Sequence, residues 1–164
     1  MATEAFKGEF YQKVDSKARV SIPAAMRRIL EQGDPDSTGG RARVNMVYGA
    51  GGRFVQCFSM KGTQALYDQI AAHEVGDRKD GLELAYVTRS AEVEIDEDGR
   101  LVLPPKVRDR MGVTADLLAR GFTAAFAGKL DRFELWVGDT YDADTPSLGD
   151  DAKAIRAALA LPKQ

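Results

Sequence analysis

The chain has 164 residues, 44% apolar and 29% charged, a balance that sustains a folded core and excludes disorder throughout. Its longest unbroken apolar run, Ala157 to Leu161, falls far short of the roughly 18 residues a spanning helix needs. With 23 basic residues against 25 acidic, the net charge of -2 excludes a uniform positive coat but allows a local basic face.

The opening MATEAFKGEFYQK carries charge early and lacks an apolar h-region, so no secretory signal is expected. The single Cys57 excludes an internal disulfide framework, and a cytoplasmic protein is the default. Phe10, Gln12 and Val14 alternate as a half-buried strand does. Asp15 to Arg19 then reads as a turn, and Val20-Ser21-Ile22 as the returning strand. Pro23 cannot donate to a ladder but fits the first position of a helix, predicted from Ala24 to about Leu30. Gly33 to Arg43 has the composition of a flexible surface loop. Strands are predicted over Val44 to Tyr48 and Arg53 to Phe58, joined by Gly49-Ala50-Gly51-Gly52. No Lys-Ser/Thr follows those glycines, so they form a hairpin turn and not a P-loop. Gln64 to His73 carries Leu66 and Ile70 at helical spacing, and a second helix is predicted over Leu82 to Thr88.

Val93 and Ile95 alternate again, and Asp96-Glu97-Asp98-Gly99 is a turn in which aspartate bonds its own downstream amides. Leu101-Val102-Leu103 returns to Pro104, and a helix runs from Lys106 to about Met111 with Gly112 as its stop. Strands follow over Leu117 to Phe122 and Arg132 to Val137. From Asp142 the chain reads as appended, and a helix over Ala152 to Leu161 would be mobile unless docked.

The chain contains itself twice. DSKARVSIPAAMR, Asp15 to Arg27, matches DEDGRLVLPPKVR, Asp96 to Arg108, at an offset of 81 residues. Asp15, Arg19, Pro23 and Arg27 meet Asp96, Arg100, Pro104 and Arg108. A second block aligns Arg53-Phe54 with Arg132-Phe133 at an offset of 79. Two blocks in one order mean two copies of one unit, each opening as strand, turn, strand and short helix. The expected organisation is a first repeat over 6–75 and a second over 76–141 in one compact domain, with 142–164 as a peripheral tail.

Two Asp-x-x-x-Arg blocks, each followed by aliphatic-x-aliphatic-Pro and a short helix, resemble the MraZ family over about residues 6–141. The match departs at Ala18, where glycine is common, and at Asp98, where a lysine is common. The resemblance implies an α+β, mainly β fold related to AbrB and MazE. Two swapped-hairpin halves would form a double-psi-like β-barrel with flanking helices. It further implies a DNA-binding transcriptional regulator acting near the head of the bacterial division and cell-wall gene cluster, often on its own promoter, and assembling into rings. The DNA-contacting element of the family carries over onto Asp15 to Arg19 and onto Asp96 to Arg100.

Charge separates the copies. Phe6 to Leu30 holds six basic and two acidic residues, a net of +4, whereas Arg89 to Met111 holds five and six, a net of -1. The DNA surface is therefore expected on copy one, since Asp96-Glu97-Asp98 repels phosphate. Arg19 suits base reading, because its planar fork donates two bonds to guanine, with Arg100 a weaker candidate. Lys7, Lys13, Lys17, Arg27 and Arg28 are expected at the phosphate backbone. Asp15 and Asp96 have a structural reading as well, since an aspartate four residues from an arginine fixes a turn. One protomer offers few phosphate contacts, so a homo-oligomeric ring of head-to-tail protomers on direct repeats about 10 base pairs apart is expected.

Other classes compete. An enzyme is disfavoured: His73 is the sole histidine, and one His with one Cys makes no nitrogen–sulfur metal set. Cys57, between Phe54 and Phe58, reads as a buried inert thiol. Glu92, Glu94 and Asp96 alternate along one face, which suits a divalent cation but better suits a solvated edge or a protomer contact facing arginines. No cofactor, membrane or small-molecule substrate is expected, and the site of action is the cytoplasm, at the nucleoid. The open alternative is an oligomeric protein-interaction module with secondary or non-specific DNA binding.

Overall fold

A computed structural model describes residues 5–37 and 41–159. β1 (Glu9–Val14) turns into β2 (Arg19–Ser21), and α1 (Ala24–Gln32) follows Pro23. β3 (Arg43–Val47) and β4 (Phe54–Phe58) form a hairpin across the glycine-rich turn. α2 (Met60–Ala71) precedes α3 (Asp77–Glu83), which runs on into one π-helical turn, Leu84–Thr88. The second half repeats the opening with β5 (Ser90–Glu94), β6 (Arg100–Val102) and α4 (Pro105–Met111). It closes with α5 (Ala115–Arg120), β7 (Phe122–Gly128), β8 (Phe133–Val137), α6 (Gly138–Asp144) and α7 (Ala152–Ala158).

The eight strands form one antiparallel sheet in the order β5-β3-β4-β8-β7-β1-β2-β6. Its two edge strands, β5 and β6, are consecutive in the chain and meet through the Asp96–Gly99 turn, so the sheet curls into a nearly closed barrel. The fold is thus α+β and mainly β, as the resemblance implied. No helix among the described residues is long and apolar enough to cross a membrane.

The repeat is visible in the hydrogen bonds. The β2·β6 ladder sets Val20 opposite Leu101, its own counterpart. The Ile22 amide donates to the Gly99 carbonyl at 2.9 Å, and the Leu103 amide donates to the Ala18 carbonyl at 2.9 Å. Each half therefore closes the turn of the other, which is what swapped hairpins require. Equivalent helices plug the barrel with equivalent residues: Met26 and Leu30 of α1, Val107 and Met111 of α4. They join Val14, Val20, Ile95, Leu101, Phe126 and Leu135 in one core.

Four expectations are corrected. Leu117 to Phe122 is not a strand: Thr114 accepts from the Leu117 amide at 3.1 Å and caps α5, and the strand follows as Phe122–Gly128. That strand, FTAAFAG, is alanine-rich and so carries little β-propensity in sequence. The 79-residue match of Arg53-Phe54 with Arg132-Phe133 fails on the sheet faces. Phe133 points into the core with Val55, whereas Phe54 packs on the outer cluster of Trp136 and Tyr141. A one-residue slip exchanges the two faces of a strand. α2 ends at Ala71, so His73 lies beyond the helix and is exposed.

The supposed flexible loop is tied at both ends. Asp34 is buried and accepts from Arg43 through Nε at 3.0 Å, Nη2 at 2.8 Å and the backbone amide at 2.9 Å. The helix expected over Ala152–Leu161 spans Ala152–Ala158, and Ala160 and Leu161 lie outside the described residues. Before it, Asp142 accepts from the Tyr11 hydroxyl at 2.7 Å and Asp144 from Arg53 at 3.1 Å.

Candidate nucleic-acid interface

The site is built from the two turns. In the first, Asp15 Oδ1 accepts from the amides of Lys17 at 3.0 Å and Arg19 at 2.9 Å, which is the aspartate turn expected from sequence. Oδ2 accepts from Arg19 Nε at 2.7 Å. The Arg19 amide, with its Nε and the Lys17 amide, holds the Asp15 carboxyl below the usual carboxylate range. The second turn repeats this. Asp96 Oδ1 accepts from the amides of Asp98 at 2.9 Å and Arg100 at 3.0 Å, and the Arg100 amide is the main cause of its lowered pKa.

The two arginines are not equivalent. Only Nε of Arg19 is engaged among the described residues, so both terminal nitrogens of its fork remain uncommitted. Arg100 instead gives Nη2 to Asp98 at 3.2 Å, and its Nε lies 3.8 Å from Asp96. Both arginines are held by the aspartates of their own turns and are about equally exposed, so the difference lies in which fork nitrogens are engaged: only Nε in Arg19, but Nη2 in Arg100.

The antiparallel pairing sets these turns at the two ends of one three-residue ladder, a proximity that 81 residues of sequence separation conceal. Arg19 lies opposite Val102, and Ser21 opposite Arg100. Val20 and Leu101 are buried, so alternation sets Arg19, Ser21, Arg100 and Val102 on the outer face. Arg19 and Arg100 are diagonal neighbours there, roughly 7–8 Å apart in such a ladder. Val102 is 52% exposed. Ser21 and Val102 were absent from the sequence-based site, although the buried residues beside them already fixed their face.

The remaining candidates scatter. Lys13 and Lys17 are exposed near the first turn. Lys7 is exposed at the other end of β1, about 25 Å from Asp15 at the rise of a strand. Arg27 reaches across to the second turn: a methyl group on Gly99 would overlap its guanidinium. Arg27 also faces Glu31 at 3.9 Å, while Arg28 points to solvent. The acidic row is neutralised from within the chain. Glu92 faces Arg43 at 3.7 Å, Glu94 faces Arg41 at 4.0 Å, and Glu97 accepts from Arg41. Cys57 is fully buried, and burial pushes its thiol pKa up, as an inert core thiol requires.

No family model matches the chain. Individual proteins do. It is 48% identical over 142 residues to a protein of Cereibacter sphaeroides named transcriptional regulator MraZ, covering 86% of this chain and 84% of that one. A protein of Ruegeria pomeroyi with the same name is 37% identical, at 85% and 81% coverage. One from Pelobacter propionicus is 29% identical over 160 residues, at 92% and 94% coverage. Two braced Asp-x-x-x-Arg turns on a swapped-hairpin barrel, and identities at this level over most of both chains, lead to one conclusion: the chain belongs to the MraZ family.

Proposed function

We propose that the chain is a DNA-binding transcriptional regulator that reads double-stranded DNA through the outer face of β2·β6, as a ring-shaped homo-oligomer on direct repeats in its own promoter region, at the bacterial division and cell-wall gene cluster. The observation that carries this is the pair of uncommitted terminal nitrogens of Arg19, whose Nε is fixed by Asp15, on the outer face of the β2·β6 ladder. A two-stranded ribbon fits the major groove, and a free arginine fork matches the two acceptors of guanine. Arg100 stands beside it with part of its fork occupied, which suits a supporting contact. Lys13 and Lys17 supply backbone contacts, with Arg28 and Lys7 further out, and Arg27 sets the second turn in place. The relatives' shared name supports regulation of transcription.

Self-association has its own support. The helix of Asp77–Glu83 and the π-helical turn bury no residue, and Val75, Leu84 and Val87 are exposed. An apolar set of this kind suits a protomer contact. Head-to-tail contacts place every reading face in one sense along the DNA. Footprinting on the DNA upstream of the gene tests this reading: protection over repeats of one orientation, about 10 base pairs apart, is expected. Protection of an inverted repeat alone would refute it.

A further inference from the structure

The two halves differ in one place that the DNA reading does not use. On each half a helix follows the last hairpin strand and lies over the outer face of the sheet: α2 after β4, α6 after β8. The N-caps are Ser59 and Val137, so Thr63 and Tyr141 occupy the same helical position, four residues in, and both are buried. In the second half the Tyr141 ring fills the space. It packs edge-on to Trp136 at 5.7 Å, over Ala125 and Ala127, and its hydroxyl donates to Glu9. In the first half threonine leaves that space empty. A cleft of about 860 Å³ opens there, floored by Asn45, Ser90 and Glu92 and walled by Met60, Thr63 and Tyr67. This volume suits a small organic ligand.

The floor is chemically specific. Asn45 is 4% exposed, and its amide nitrogen has no hydrogen-bond partner among the described residues. An unpaired buried donor is costly, so a ligand that satisfies it gains affinity. Glu92, the cross-strand neighbour of Asn45, offers an acceptor beside it. A carboxamide pairs with a planar base through one donor and one acceptor, as asparagine does with adenine. We infer that this cleft binds a free amino-bearing nucleobase or nucleoside, whose planar ring takes the place that Tyr141 fills in the other half. Its ring nitrogen accepts from Asn45, and its exocyclic amine donates to Asn45 Oδ1 or to Glu92.

The full chain is titrated with adenosine and cytidine, with 3-methyluridine, which has no base donor, and phenol as controls, and separately with a short single-stranded oligonucleotide, following backbone amides by NMR. Saturable shifts confined to α2, β3 and β5, at least tenfold tighter for adenosine or cytidine than for 3-methyluridine or phenol, are expected. Thr63→Tyr fills the cleft from within and is expected to weaken binding at least tenfold while the thermal melt stays cooperative. Asn45→Leu is expected to erase the preference over phenol, and it serves alone if Thr63→Tyr does not fold. No saturable binding by either nucleoside, or equal binding by the folded variants, would overturn the assignment. Saturation by the oligonucleotide alone, or shifts that follow protein concentration instead of ligand, would overturn it too.

Discussion

Position 18 shows how a single residue sets a turn. Ala18 has φ of 63°, and Gly99, its counterpart, has φ of 79°; both carry the carbonyl that closes the other half's strand. A side chain in the left-handed region costs roughly 1 kcal/mol. Ala18 offsets this because its methyl is buried in the core, worth about 0.8 kcal/mol. Ala18→Gly is therefore expected to change stability by no more than about 0.5 kcal/mol, since strain relief and lost burial oppose. Gly99→Ala meets the same strain with no pocket, and it must also push the Arg27 guanidinium aside. It is expected to cost roughly 1–2 kcal/mol. Urea unfolding of both variants checks the contrast; equal costs at the two positions would remove the argument.

At the scale of elements, the Asp34–Arg43 clasp decides where the chain enters β3. The Asp34 side chain is fully buried and takes three bonds from Arg43, which hold its pKa down to about 2. Asp34→Ala removes these three bonds while Arg43 keeps Asp36 at 3.3 Å and Glu92 at 3.7 Å, so it is expected to cost about 2 kcal/mol. The pH dependence has a definite sign. The folded pKa lies below the unfolded value of 3.8, so the stabilisation is complete above pH ~4 and fades as pH falls towards 2. Acid titration of the urea midpoint checks this, with Asp34→Asn expected to flatten the wild-type decline over that window. Sequence could not show the clasp, because glycine and aspartate composition reads as a loop whether or not its ends are tied. It did show each turn, each proline stop and both plugging helices, since these follow from local chemistry at fixed spacing. It missed β7, whose Ala125 and Ala127 are small because Tyr141 and Trp136 pack over them, a tertiary reason with no local signal. The charge contrast singled out Arg19 over Arg100. The shared face of the two arginines emerged only when β2 paired with β6.

For the whole molecule, a net charge of -2 means that DNA affinity depends on where charge sits and on how many copies bind together. The first repeat is basic and carries the free arginine fork, while the acids of the second are held by Arg41 and Arg43. Linked protomers turn a weak contact into a strong one by raising effective concentration. The central claim is that Arg19 reads bases. It is tested most directly by fluorescence anisotropy on the DNA upstream of the gene, beside unrelated DNA of equal length, with oligomer size measured for each variant. Arg19→Ala is expected to lose roughly 10- to 100-fold in affinity for the upstream DNA, keep its assembly and bind unrelated DNA almost as before. Arg100→Ala is expected to lose less than Arg19→Ala. Retention of the wild-type preference by an intact Arg19→Ala assembly would contradict the account, and the Asp-x-x-x-Arg element would then be a folding device alone.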